Sequence, residues 1–124
     1  MTSEVKFKLE ILMLATCIFC QIVQKSVPTD MVCETGSLLV FKDIKPKAPV
    51  HLLIVPKKHV ESVTELTNED RELVSDMVFT AKEVAKAQGL GGYRLVVNVG
   101  REGGQIVDHL HLHLLGGWTE TQSN

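Results

Sequence analysis

Asp108-His109-Leu110-His111-Leu112-His113-Leu114-Leu115 sets three histidines at alternate positions with leucines between and after them. Successive side chains of a strand point to opposite faces, so His109, His111 and His113 share one face and Leu110, Leu112 and Leu114 the other. The leucine face is expected to bury and the histidine face to form a site. Same-face neighbours lie roughly 6.6 to 7 Å apart, too far for one ring simply to stack on the next but suited to touching different parts of one phosphate. A neutral imidazole attacks phosphorus, an imidazolium stabilises a developing oxyanion or protonates a leaving group, and histidine passes between these states near neutral pH. Histidines two apart on a strand are also good metal ligands, and spacing alone leaves both readings open.

Upstream, Asn98 ends the preceding strand and Gly103-Gly104-Gln105 leads into the histidines. Backbone amides freed by glycine can approach phosphate oxygens there, although Gly100 to Gly104 also reads as a plain hairpin turn between strands over 93–99 and 107–115. Farther back lies the one long helix. Thr67 is its expected N-cap, Glu69 and Asp70 occupy its first turn, and Leu73, Val74, Met77, Val78, Ala81, Val84 and Ala85 recur at helical spacing until Gly89 stops it. His51-Leu52-Leu53-Ile54-Val55 reads as a central strand buried on both faces and stopped by Pro56. The stretch 45–49, with Pro46 and Pro49, is a loop. Met31 to Glu34 and Leu38 to Asp43 flank Gly36-Ser37 as a hairpin. Asp43-Ile44 follows a strand end, where a carboxylate can accept from two ribose hydroxyls, although a loop aspartate is by default solvated. Cys17 to Val23 reads as a short helix or turn with Ile18 and Ile22 inward and Phe19 a further inward candidate, ended by Val27-Pro28. The elements give an α+β chain: an antiparallel sheet with a helix on one face.

The chain has 124 residues, 44% of them apolar and 23% charged, which is enough for one domain with one core. Its net charge of −2 comes from 13 basic and 15 acidic residues with no basic block, so nucleic acid is not expected as a partner. Three cysteines do not form a secreted disulfide framework and fit a reducing, cytoplasmic setting. Leu14-Ala15-Thr16-Cys17 loosely resembles a lipoprotein cleavage site, but Glu10 interrupts the short apolar run and Thr16 is a poor residue before the cleavage point. No stretch approaches the roughly 20 apolar residues that cross a bilayer, so no membrane partner is expected. Met13 is an alternative start, which makes residues 1–12 a dispensable extension; the chain divides into an N-terminal extension over 1–16, the domain over 17–117 and a tail over 118–124.

His109-Leu110-His111-Leu112-His113-Leu114-Leu115 resembles the histidine-triad (HIT) signature, in which three histidines alternate with apolar residues. The resemblance spans residues 17–117. Cys17-Ile18-Phe19-Cys20, Phe41-Lys42-Asp43-Ile44, Ala48-Pro49-Val50-His51, Ile54-Val55-Pro56-Lys57-Lys58-His59, Asn98 and Gly103-Gly104-Gln105 are similar, in order, to segments of the Hint branch. It implies a five-stranded antiparallel sheet with one long helix and a short N-terminal helix, paired across a homodimer into ten strands. The implied activity is hydrolysis of purine nucleoside phosphoramidates or related adenylates at the P–N bond, giving the nucleoside monophosphate. In that scheme His111 is the nucleophile, His109 orients it, His113 contacts phosphate and assists proton transfer, and His51 completes the network. Asn98, Gly104 and Gln105 hold the phosphate or leaving group, Asp43 takes the ribose, and Ile18, Phe19, Phe41 and Ile44 form the slot for the base.

The same resemblance implies a structural zinc held by Cys17, Cys20, His59 and His109, with no cofactor needed for catalysis; the Cys-x-x-Cys pair alone also fits a redox pair or two buried thiols. Cys33 reads as a small core residue. Two positions depart from the Hint pattern. Ile106 stands where many members carry serine, which removes a hydroxyl near the phosphate, and Trp118 comes early in a short tail, either reaching a neighbouring site or anchoring a dimer rim. Alternative activities are a dinucleoside polyphosphate hydrolase, a nucleotidyl transferase, or a zinc-stabilised nucleotide-binding module without significant turnover.

Overall fold

The computed structural model describes residues 16–119. The proposed start at Met13, nearly all of the 1–16 extension and the end of the 118–124 tail lie outside the described residues. Helix α1 spans Ile18–Val23, and strands β1 (Met31–Glu34), β2 (Leu38–Lys42) and β3 (Val50–Pro56) follow it. After helix α2 (Arg71–Ala87) come β4 (Tyr93–Val96) and β5 (Leu112–Gly116). These strands form one sheet in the order β1-β2-β3-β5-β4, every neighbouring pair antiparallel, as the sequence led us to expect.

Side-chain alternation splits the sheet into two buried faces. Leu38 and Val40 of β2, Leu52 and Ile54 of β3, and Leu112 and Leu114 of β5 pack with Met77, Ala81, Val84 and Ala85 of α2. Leu39, Phe41, Leu53 and Val55 point the other way and pack with Cys17, Phe19, Cys20 and Ile22. Full burial of an aliphatic side chain of this size stabilises by roughly 1.5–3 kcal/mol, so both covers matter to the fold. The β1–β2 turn is closed by Thr35, whose hydroxyl accepts from Ser37 N at 3.3 Å and Leu38 N at 3.0 Å. Thr67 stands one turn before α2, because Asn68–Asp70 form a 3-10 turn there; the Asp70 carboxylate accepts from Thr67 N at 2.9 Å and pairs with Lys58 at 2.6 Å.

Several sequence expectations need correction. Both final strands are shorter than read: β4 ends at Val96 and β5 begins only at Leu112. The missing part of β5 runs instead beside the chain after β3, where Leu110 N donates to Val60 O at 2.7 Å. Ile18, read as inward, is 43% exposed, while Phe19, Cys20 and Ile22 are buried. Val74 and Val78, read as core, are exposed on α2 beside Phe79. On edge strand β4, Tyr93 and Leu95 are exposed too, with the Trp118 ring centroid 4.7 Å from the Arg94 guanidinium.

Candidate active site

The antiparallel register places His51 opposite Leu115 and His113 opposite Leu53, so β3 and β5 present both imidazoles on the sheet face away from α2. Lys47 N donates to His51 Nδ1 at 3.0 Å, which leaves the His51 proton on Nε2. That proton is donated to His113 Nδ1 at 2.9 Å. His113 therefore carries its own proton on Nε2, a buried atom without a hydrogen-bond partner. Native structures leave few buried donors unpaired, and one at such a position can donate to an acceptor brought by a ligand. Asp43 flanks this relay with Oδ2 3.4 Å from His51 Nε2, and its Oδ1 accepts from Lys45 N at 2.8 Å.

His111 is fixed by its neighbour's backbone. Its Nδ1 lies 2.7 Å from His109 O, so Nδ1 donates and Nε2 keeps a bare lone pair. The His109 carbonyl thus sets the tautomer of the next histidine on its face. Phe19 stands perpendicular to the His111 ring at 5.2 Å between centroids, and the His113 ring is 4.9 Å away, closer than strand spacing alone suggested because the side chains converge. Burial holds His113 down at about pH 4 and also lowers His51, so both stay neutral near pH 7 and the relay keeps its tautomers.

His109 faces a different environment. Its Nε2 donates to Pro56 O at 2.8 Å, which turns Nδ1 towards Cys17 Sγ at 3.3 Å, Cys20 Sγ at 3.6 Å and His59 Nδ1 at 3.2 Å. Cys20 Sγ is 3.1 Å from His59 Nδ1, and all four ligand atoms lie within 4.8 Å of one another. Zinc–nitrogen bonds near 2.0–2.1 Å and zinc–sulfur bonds near 2.3 Å put tetrahedral ligand atoms roughly 3.3 to 3.8 Å apart, so the cluster fits that ion. Burial and the Cys17 thiol push Cys20 up to about 12, and a cation is what such a thiol needs to become thiolate. A cleft of about 430 Å³ opens beside the cluster, lined by residues that include Ile18, His59, Ile106 and Val107.

The other expected residues divide. Asn98 is half-buried beside Gly104, a position with φ of +89° where a side chain is strained; a Cβ there comes 3.9 Å from Asn98 Cγ. Gln105 is buried, with its carboxamide given to backbone: Oε1 accepts from Gly100 N, and Nε2 donates to Glu61 O and Val107 O. It shapes the loop, where the sequence reading had it hold the phosphate. Phe41 is buried behind Phe19 at 5.6 Å, while Ile44 is 93% exposed at the rim. Sequence reasoning passed over Pro56, whose carbonyl orients His109, and Lys47, whose amide sets the relay; main-chain groups carry no signal in residue type.

A family model described as "Scavenger mRNA decapping enzyme C-term binding" matches residues 16–124. Protein HitA of Neisseria gonorrhoeae is 45% identical over 101 residues, covering 81% of this chain and 94% of HitA. A solved HIT family hydrolase from Legionella pneumophila Philadelphia 1 is 47% identical with a TM-score of 0.82, covering 87% of this chain and 98% of the relative. The chain belongs to the HIT family. A zinc-bound HIT structure, a histidine triad family protein from Mycobacterium smegmatis, is 27% identical with a TM-score of 0.79, covering 89% of this chain and 81% of that one. The thiol and imidazole cluster of this HIT protein is consistent with the same metal. Among the described residues no helix is long and apolar enough to cross a membrane.

Proposed function

We propose that this HIT protein is a hydrolase of the Hint type that cleaves purine nucleoside phosphoramidates or related adenylates at the P–N bond. The observation that carries the reading is the pairing of a bare His111 Nε2 with an unpartnered His113 Nε2–H on one buried face. The His111 lone pair attacks the α-phosphorus, the P–N bond breaks, and the amine leaves with a proton drawn from water. The intermediate is a nucleotidyl imidazolium whose Nδ1–H is still held by His109 O. That hydrogen bond strengthens as charge develops, which favours the transition state over the ground state. Water then hydrolyses the N–P bond, returns the borrowed proton, and releases the monophosphate.

His113 Nε2–H binds a phosphate oxygen, with His51 and Lys47 holding its tautomer. Asn98 and Gly104 flank the phosphate and Gln105 keeps their loop in shape. Asp43 accepts from the ribose hydroxyls. Phe19 and Ile18, backed by Phe41, and Ile44 at the rim form the slot for the base. Zinc at Cys17, Cys20, His59 and His109 is structural, because all four positions are protein ligands, and it would fix α1 to the sheet. The exposed apolar side chains of α2 and of the β4 edge support a homodimer in which two sheets join into ten strands.

The test is turnover of a fluorogenic adenosine phosphoramidate beside a dinucleoside polyphosphate, with light scattering for the dimer. Phosphoramidate hydrolysis at the higher kcat/KM supports the reading. The decapping family description favours polyphosphate cleavage as the second reading, and preference for that substrate would select it. Nucleotide binding without turnover of either substrate would reduce the protein to a binding module.

A further inference from the structure

The turn ahead of the histidines is held from two sides. From inside, the Gln105 carboxamide ties Gly100, Glu61 and Val107 together. From outside, Arg101 Nη1 donates to the carbonyls of Gln105 and Ile106, the latter at 2.8 Å, and Nη2 donates to Asp108 Oδ2 at 2.9 Å. A trans peptide points its C=O and its N–H in opposite directions, and every peptide bond in the described residues is trans. Carbonyls 105 and 106 turned towards the guanidinium therefore turn the N–H groups of Ile106 and Val107 away from it. Among the described residues neither amide has a hydrogen-bond partner. Two successive free amides turned away from one guanidinium can both donate to one anion. Ile106 has no side-chain hydroxyl to add, so peptide orientation alone decides what this position offers an anion.

We infer that Arg101 is a positioning residue: held by Asp108, its guanidinium locks the backbone over 105–107 so that the Ile106 and Val107 amides stay free to receive a phosphate oxygen. The inference rests on the nucleoside phosphate reading of the site. Arg101 and Asp108 are both well exposed, and an exposed ion pair adds little to stability, so the effect is on the loop and not on the fold. Lysine is a poor substitute, because one ammonium cannot serve two carbonyls and a carboxylate in a planar fork.

Arg101→Ala, Arg101→Lys and Asp108→Asn are compared with wild type by AMP calorimetry, steady-state kinetics, thermal melts and amide NMR. In wild type, AMP should move the Ile106 and Val107 amide protons downfield. Arg101→Ala should bind AMP about tenfold more weakly, lose about tenfold in kcat/KM, and melt within about 2 °C of wild type; a preorganised donor pair removed outright costs more than one merely loosened. Arg101→Lys and Asp108→Asn should fall between. AMP affinity in Arg101→Ala within twofold of wild type overturns the inference, as does a loss that only follows a lowered melting temperature. Wild type that binds AMP without turnover defeats the hydrolase reading alone, since affinity and amide shifts still decide the role of Arg101. Wild type whose two amides respond to neither AMP nor inorganic phosphate defeats the inference itself.

Discussion

Two neighbouring histidine clusters differ in what their ring nitrogens meet. Around His109 the imidazole uses Nε2 on the Pro56 carbonyl and turns Nδ1 to two thiols and His59. Around His111, two residues along, the imidazole uses Nδ1 on the His109 carbonyl and leaves Nε2 bare. The first cluster is closed on all four sides by protein ligands, which suits a structural ion. The second is open, with a lone pair and an N–H facing whatever binds. One residue type thus presents two different ring nitrogens because different backbone carbonyls select them. His109 belongs to both clusters, through its ring to the first and through its carbonyl to the second.

The sharpest way to separate the clusters is His111→Ala. Turnover should fall about a thousandfold or more, as for loss of a nucleophile, while zinc content and melting temperature stay near wild type. Steady-state kinetics with metal analysis on the same preparation checks it. Cys20→Ser attacks the other cluster. Zinc should be lost and the melting temperature should drop by roughly 10 °C or more, since metal binding energy here is folding energy. Below the transition, turnover should fall less than about tenfold, because the His109 carbonyl remains; equal loss in both variants would erase the distinction.

A smaller effect is expected from Asp43→Ala, about tenfold in kcat/KM on a ribonucleotide and little on its 2′-deoxy analogue, through loss of hydroxyl recognition. The smallest is a pH effect. His113 is held at about 4, against an ordinary 6.5, by burial and by His111 and His51 beside it. Above 6.5 both folded and unfolded chains keep it neutral and its contribution to stability is whole. As pH falls from 6.5 towards 4 the unfolded chain takes a proton that the folded chain refuses, so stability declines. Melting temperature against pH should show that slope, and His113→Gln should flatten it.

The alternation of histidine and leucine was readable because a strand has period two, and the buried leucine face followed from it; the antiparallel sheet was readable from strand-like stretches that follow one another with one long helix among them. The Cys17, Cys20, His59 and His109 cluster was readable only through resemblance, since no periodicity joins residues so far apart. Helical spacing placed Val74 and Val78 in the core, but spacing marks an apolar face without saying whether this chain or another surface covers it. The ends of β4 and β5 were misread because hydrophobicity continues past the point where Leu110 leaves the sheet for Val60. Tautomers were not legible at all: they depend on the main-chain groups Pro56 O, His109 O and Lys47 N, whose direction is set by the fold and not by side-chain type. Gln105 and Arg101 likewise act on main-chain groups that only the folded loop brings within reach.

The central claim is that His111 Nε2 forms a bond to phosphorus. Rapid quenching of an adenosine phosphoramidate reaction in alkaline denaturant, followed by intact-mass and peptide mass spectrometry, reads that bond directly. The account predicts a transient increment of one adenylyl group on the peptide that contains His111, absent from His111→Ala. Full turnover with no adduct at any time, or an adduct on a different residue, would contradict it.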